Sequence, residues 1–190
     1  MVKLNRIYTR TGDDGSTGLV DGSRVSKADL RMAAIGDVDE ANSALGVAIA
    51  VLTPGALADL LTSVQNDLFD LGADIATPGD DFAPSTTSLR IVQAQVDRIE
   101  AAIDFHNAAL EPLTSFILPG GAPAAAALHL ARSIVRRAER SLVAACSAMP
   151  VNPVALTYVN RLSDLLFIAA RAVNKTADGD VLWVPGASRA

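Results

Sequence analysis

One cysteine, one tryptophan and two histidines are all that the 190 residues hold of those types. A lone Cys146 excludes an intramolecular disulfide and any zinc site built on several cysteines. No Ser-His-Asp arrangement, metal-ligand cluster or Gly-Lys-Ser/Thr phosphate-loop ending is visible, which weakens P-loop and hydrolytic-triad readings. Aromatics make up only 4% against 50% hydrophobic residues, so the core must be built from Ala, Leu, Val and Ile. No apolar run approaches the roughly 18 residues of a membrane span, and Met1 to Arg6 lacks the apolar stretch of a signal peptide. A net charge of −5 argues against a general nucleic-acid or membrane surface. A reducing cytoplasm is the expected compartment.

What is present is helical periodicity. After Ser26-Lys27-Ala28-Asp29, which resembles a capping box with Ser26 as N-cap, an apolar pattern runs to about Leu52 and stops at Thr53-Pro54-Gly55. Leu57, Leu60, Leu61, Val64, Leu68 and Leu71 mark a second helix to about Ile75, and Leu89, Val92, Val96, Ile99 and Ile103 a third. Residues 112–123 form a connector, and further helices are expected over Ala124–Ala148 and Val154–Lys175. Nothing alternates with period two over a useful length, so strands are not expected. The expected fold is therefore all-α: an up-and-down five-helix bundle in one domain spanning 1–190. It divides into an N-terminal loop (1–25), the bundle (26–175) and a tail (176–190) in which Trp183 suggests docking.

Three polar constellations interrupt this pattern. Residues 9–17 read Thr-Arg-Thr-Gly-Asp-Asp-Gly-Ser-Thr, with no apolar side chain. Exposed N–H groups, hydroxyls and an arginine suit a polyphosphate, and carboxylates could hold its magnesium; a plain surface turn has the same composition. The fourth helix carries Arg132, Arg136, Glu139 and Arg140 beside its core stripe (Leu128, Ala131, Val135, Ala138, Leu142, Ala145), with Arg137 further round. That cluster is either a solvated face or a triphosphate site. The fifth helix holds Asn160-Arg161-Leu162-Ser163-Asp164, where Arg161 can pair with Asp164; this patch is either an interhelical network or a ligand site.

Asp37, Asp39 and Glu40 on the first helix face solvent or meet the arginines of the fourth across a bundle or subunit contact. Lys27, near a helix N-terminus, suits a bound phosphate. His106 sits in a near match to the cobalt-ligating Asp-x-His-x-x-Gly pattern, but the glycine is absent and Ala109 stands there. His129 reads as a surface or packing residue.

Taken in register, Tyr8 to Thr17, Gly36-Asp-Val-Asp-Glu40, Arg136-Arg-Ala-Glu-Arg140 and Asn160 to Asp164 closely resemble the PduO-type ATP:cob(I)alamin adenosyltransferases. The resemblance covers nearly the whole chain and departs from the family at no essential position; Asp14 and Ser16 fall where the family varies. It implies a five-helix bundle assembled as a homotrimer, with active sites between subunits. It further implies that Thr9, Arg10, Thr11, Gly12, Asp13, Gly15, Thr17 and Gly18 wrap ATP while Lys27 reaches its phosphates. Arg136, Arg137, Glu139, Arg140 and Asn160 would complete the nucleotide site. Asp39 would bridge to Arg132 of the neighbouring subunit, and Phe116 would occupy the lower face of the corrin.

The implied reaction moves the 5′-deoxyadenosyl group of ATP, with Mg²⁺, to the cobalt of cob(I)alamin. A reductase and an adenosylcobalamin-dependent client enzyme are the implied partners. A cobalamin-delivery module and a plain ATP-binding bundle are the alternatives left open.

Overall fold

The computed structural model describes residues 8–86 and 88–189. The expectation about a leader, which rests on Met1 to Arg6, lies outside the described residues. Five helices follow a small hairpin: β1 (Ser16–Gly18), β2 (Arg24–Ser26), α1 (Leu30–Ala50), α2 (Ala56–Ile75), α3 (Gln93–Asn107), α4 (Pro123–Ala145) and α5 (Pro153–Lys175).

Polar contacts between helices fix their directions. Asn42 of α1 and Gln65 of α2 exchange side-chain-to-carbonyl bonds of 3.1 Å each, while Arg31 reaches Ile75 O, so these helices are antiparallel. Asp67 of α2 accepts from Gln95 and Arg98 of α3 and from Tyr158 of α5. Asp74 meets Arg90, the Ile91 N–H and Asn152. The α2 numbers rise as those of both partners fall, so α3 and α5 each oppose α2 and run parallel to each other. Asp37 with Ser141, and Glu40 with Arg137, oppose α1 and α4. The order is up, down, up, down, up, as periodicity predicts.

The seam between α1 and α4 is built of small residues. Ala34, Ala41 and Ala48 on one side and Ala131, Ala138 and Ala145 on the other repeat at heptad spacing and are almost completely buried. A larger side chain at Ala41 or Ala138 would force the helices apart at a cost of about 1–3 kcal/mol. Close approach also brings the Asp37 and Glu40 carboxylates of α1 within reach of α4.

Local chemistry sets the ends. Pro123 and Pro153 open α4 and α5 at the first turn, where a missing N–H costs nothing, and Asn152 caps α5 by accepting from Val154 N. The capping residue of α1 is Asp29, not Ser26, because Ser26 is still paired with Ser16 in the hairpin. The hairpin corrects the expectation of no strands: three residues a side are too few to show a period. Helix α3 starts at Gln93, later than Leu89, because Arg90 and Ile91 are held extended against Asp74. Helix α4 stops at Ala145 rather than Ala148, where Ala148 N and Met149 N both turn back to Ala145 O.

Candidate functional site

The polar loop is a preformed structure attached to the end of the bundle where α1 begins and α2 finishes. Arg10 takes a left-handed conformation (φ 63°), unusual for a residue with a side chain, and Gly15 follows at φ 82°. Two cations from the next segment fasten it. Arg24 donates from Nη2 to Thr11 O (2.6 Å) and from Nε to Ser16 Oγ (3.0 Å). Lys27 Nζ donates to Gly12 O at 2.7 Å. A Cβ at Gly12 would lie 3.1 Å from both Lys27 Nζ and Ser16 O, so glycine suits this close approach. Asp14 accepts from the Ser16 N–H and hydroxyl, which, with Arg24 nearby, hold its carboxyl below the usual range. Thr9 and Thr11 share a hydroxyl contact of 2.8 Å, and Thr17 and Gly18 close the loop in β1, paired with Val25 and Arg24. Among the described residues, the N–H groups of Thr11, Gly12 and Asp14 have no partner, leaving a short row of donors for an anion.

Helix α4 sorts its arginines. Arg137 is committed inside the chain: it pairs with Asp37 (3.2 Å) and with Glu40, whose hydrogen bond raises its pKa. Glu139 accepts from Asn160 Nδ2 at 2.8 Å, which joins α4 to α5, and Arg140 turns back to Arg136 O at 2.9 Å. Arg132 and Arg136 have no carboxylate partner among the described residues, and the Arg132 Nε is buried without an acceptor. Burial and the neighbouring Arg136 lower the pKa of Arg132. Asp39, one position from the clamp on Arg137, is exposed and likewise unpaired among the described residues. Among the described residues, Arg132 and Arg136, together with Arg140, whose bond is to a backbone carbonyl, thus remain without a carboxylate on α4, and Asp39 without a cation on α1.

On α5, Arg161 pairs with Glu100 of α3 (2.7 Å) and with Asn160 Oδ1 (2.7 Å), not with Asp164. Glu100 faces it across the parallel helix contact, so the guanidinium reaches outward rather than along its own helix. Asn160 is consequently polarised from both sides, between Glu139 and Arg161. His129 is a packing residue: it is 2% exposed, stands edge-on to Phe167 at 6.2 Å, and has no partner for either ring nitrogen among the described residues.

At the opposite end of the bundle, residues 108–122 pass over the end of α5 and present Phe116 with 77% of its surface exposed. The tail does dock there. Ile117 and Leu182 form an antiparallel bridge, and the Trp183 ring meets the Phe116 ring edge-on at 6.0 Å.

The single chain thus presents an anion-ready loop, an arginine pair on α4 and an exposed aromatic, but does not bring all three together. No hydrogen bond or ion pair joins the loop to α4 or α5 among the described residues. The residues that position this machinery escaped sequence reasoning: Arg24 behind the loop, and Arg171, Asn174 and Asp180 beneath Phe116. Arg24 had a faint signal, a cation three residues before Lys27.

The cobalamin adenosyltransferase family profile matches residues 7–173. The chain belongs to that family. It is 54% identical to the corrinoid adenosyltransferase of Mycobacterium tuberculosis, over 99% of this chain and 97% of that protein. It is 43% identical to the corrinoid adenosyltransferase of Bacillus subtilis, over 93% and 91% of the two chains. Among solved structures, a phenylalanine-to-alanine variant of the PduO-type ATP:corrinoid adenosyltransferase from Lactobacillus reuteri, complexed with cobalamin and ATP, superposes with a TM-score of 0.85. It shares 39% identity with this chain, of which 94% is covered, against 99% of that one. An arginine-to-lysine variant of that enzyme complexed with ATP gives a TM-score of 0.86 at 38% identity, covering 94% and 100%.

Proposed function

We propose that the chain transfers the 5′-deoxyadenosyl group of ATP to the cobalt of cob(I)alamin, releasing triphosphate. The observation that carries the reading is the pair Arg132 and Arg136, unpaired in an acidic protein between an anion-ready loop and an exposed aromatic. Cobalt in cob(I)alamin supplies an electron pair and attacks C5′; the C5′–O bond breaks and its electrons leave with triphosphate. The nucleophile arrives with the substrate, so the protein needs no activated Ser, Cys or His. It must bind, orient and stabilise charge growing on the leaving group.

Residues divide along that requirement. The Thr11, Gly12 and Asp14 amides cradle phosphate oxygens, and Thr9, Arg10, Asp13, Gly15, Thr17 and Gly18 shape the cradle around them. Lys27 moves from the Gly12 carbonyl to a phosphate. Arg136 faces the leaving triphosphate, Arg140 adds charge beside it, and Asn160 and Glu139 orient the nucleoside. No group of three or more His, Cys, Asp or Glu side chains suited to a metal stands together among the described residues. A magnesium ion would enter on the ATP phosphates, where the loop carboxylate of Asp13 would help hold it, and would neutralise charge on them. Phe116 covers the lower face of the corrin, excluding water and the displaced base and so easing reduction of cob(II)alamin.

The site closes between two copies. The loop sits where α1 begins, and Phe116 at the far end of the bundle. The 21-residue α1 spans about 32 Å at 1.5 Å per residue. Donor and acceptor held by one chain at those two places could not react. In a homotrimer, Asp39 of one copy pairs with Arg132 of the next, satisfying both groups left unpaired here, and brings the loop against the neighbour's α4. A reductase supplies the electron that generates cob(I)alamin, and an adenosylcobalamin-dependent enzyme takes the product. With its one cysteine free, the protein suits a reducing cytoplasm.

The test is anaerobic incubation with ATP, Mg²⁺ and chemically reduced cobalamin. The cob(I)alamin absorbance should decay with equimolar triphosphate release. ATP binding without corrinoid consumption would sink transfer in favour of a delivery or plain nucleotide-binding role.

A further inference from the structure

Phe116 is exposed, so the protein core does not hold it; its place is set by hydrogen bonds made beneath it. Asn174 of α5, 1% exposed, accepts from Ala122 N at 3.0 Å and donates to Gly120 O at 3.1 Å. Arg171 Nη2 donates to Glu111 O at 2.8 Å, and Lys175 to Ala109 O. The segment carrying Phe116 is therefore pinned on both sides.

Asp180, in the tail, closes the arrangement. Its Oδ2 accepts from Arg171 Nε at 2.9 Å and its Oδ1 from Asn174 Nδ2 at 3.3 Å. The Arg171 and Asp180 side chains are only 8% and 14% exposed. From that anchor the tail runs back along Phe116: Leu118 N donates to Val181 O at 2.7 Å and Trp183 N to Phe116 O at 2.8 Å. Ser115 Oγ adds a bond to Trp183 O at 3.0 Å. An exposed aromatic on a segment without helix or strand would otherwise sample many positions, and ordering it would weaken binding.

We infer that Asp180, acting with Arg171 and Asn174, is a positioning residue for Phe116, fixing the aromatic and its Trp183 partner before the corrinoid arrives. This rests on the reading of Phe116 as the contact for the lower face of the corrin. A buried ion pair is a costly way to gain stability alone. This one spans only α5, the connector and the tail, the parts that frame the aromatic.

Asp180→Asn keeps the shape and removes the charge. Trp183 is the only tryptophan, so its emission reports on the docked tail directly. The variant should show red-shifted Trp183 emission and greater acrylamide quenching. Its KM for reduced cobalamin should rise about tenfold, the loss expected for a charge-assisted hydrogen bond, with the ATP dissociation constant unchanged. Ser115→Ala alters an exposed hydroxyl, so its folding is not in question, and it should move the same readouts less; it carries the test if Asp180→Asn does not fold.

Unchanged emission and unchanged cobalamin KM would overturn the inference. So would an undocked tail with normal corrinoid use, or equal losses for ATP and cobalamin. Phe116→Ala, measured alongside, separates the two levels. If it leaves corrinoid use intact, the reading of Phe116 falls and takes the inference with it. If it impairs corrinoid use while Asp180→Asn does not, the inference alone falls.

Discussion

The two ends of the bundle hold their candidate binding segments by opposite means. At one end, the Thr9–Gly18 loop is fastened by exposed groups close in sequence, Arg24 and Lys27, which donate to its own carbonyls. At the other, the segment bearing Phe116 is fastened from below by buried groups of α5 more than fifty positions away. A loop held by cations that a phosphate can recruit is built to rearrange when its anion binds. A segment held by a buried amide and a buried ion pair is built to stay. On the proposed reading, nucleotide binding remodels one end, while the corrinoid meets a surface already formed.

The sharpest way to break this contrast is at α4, where Arg136 is proposed to face the leaving triphosphate. Arg136→Ala should lower kcat by about 10²–10³, the cost of removing one donor to developing charge, with thermal stability unchanged because Arg136 has no carboxylate partner among the described residues to lose. Near-normal turnover would reduce the cluster to a solvated face. Lys27→Ala should be impaired on the loop side. If each site takes its loop from one copy and its α4 from the next, co-assembling these two inactive variants will restore activity. Mixtures as dead as their components would place both halves in one chain.

Arg24 probes the adaptable end, with a smaller effect. Its guanidinium holds Thr11 O and Ser16 Oγ but stays outside the donor row. Arg24→Ala should raise KM for ATP about five- to tenfold with kcat and cobalamin KM preserved, as expected when a neutral-acceptor bond to a cation is lost. A drop in kcat at unchanged KM would mean that the loop is held by something else.

The same contrast explains what the sequence could reveal. The helices were legible because their apolar residues recur at helical spacing, and the α4 core stripe from Leu128 to Ala145 is buried as the wheel predicts. The loop was legible because its polar residues and glycines are concentrated in nine consecutive positions. The support under Phe116 was not, since Asn174 and Asp180 reveal themselves only when the chain folds 108–122 over the end of α5. Arg137 was partly legible: the wheel set it apart from Arg136, and the α1 carboxylates were expected to face solvent or meet the α4 arginines. That Asp37 and Glu40 take this one depends on the tight alanine seam. The Arg161–Asp164 pairing failed because Glu100, sixty-one residues away in sequence, is better placed.

The smallest effect concerns His129, in the first third of α4, the helix that joins the two ends. It is packed against Phe167 with both ring nitrogens unpartnered, and burial, then the nearby Arg132 charge, push its pKa below the ordinary 6.5, with Asp180 opposing. The unfolded chain binds a proton there more readily than the folded one, so the contribution of His129 to stability is complete above pH 6.5 and erodes as pH falls toward its folded pKa. Asp14 and Asp21, also lowered in the fold, erode stability in the same direction, but only near the carboxylate range around 3.8. Between about pH 6.5 and 5 the melting temperature should therefore fall in the native protein by less than the limit of 1.36 kcal/mol per pH unit for one proton would give. It should stay flatter in His129→Leu, which keeps an apolar side chain of similar bulk. Equal slopes in the two proteins would show that the folded bundle protonates His129 as easily as water does. That stretch of α4 would then be as adaptable as the loop end, not as rigid as the segment beneath Phe116.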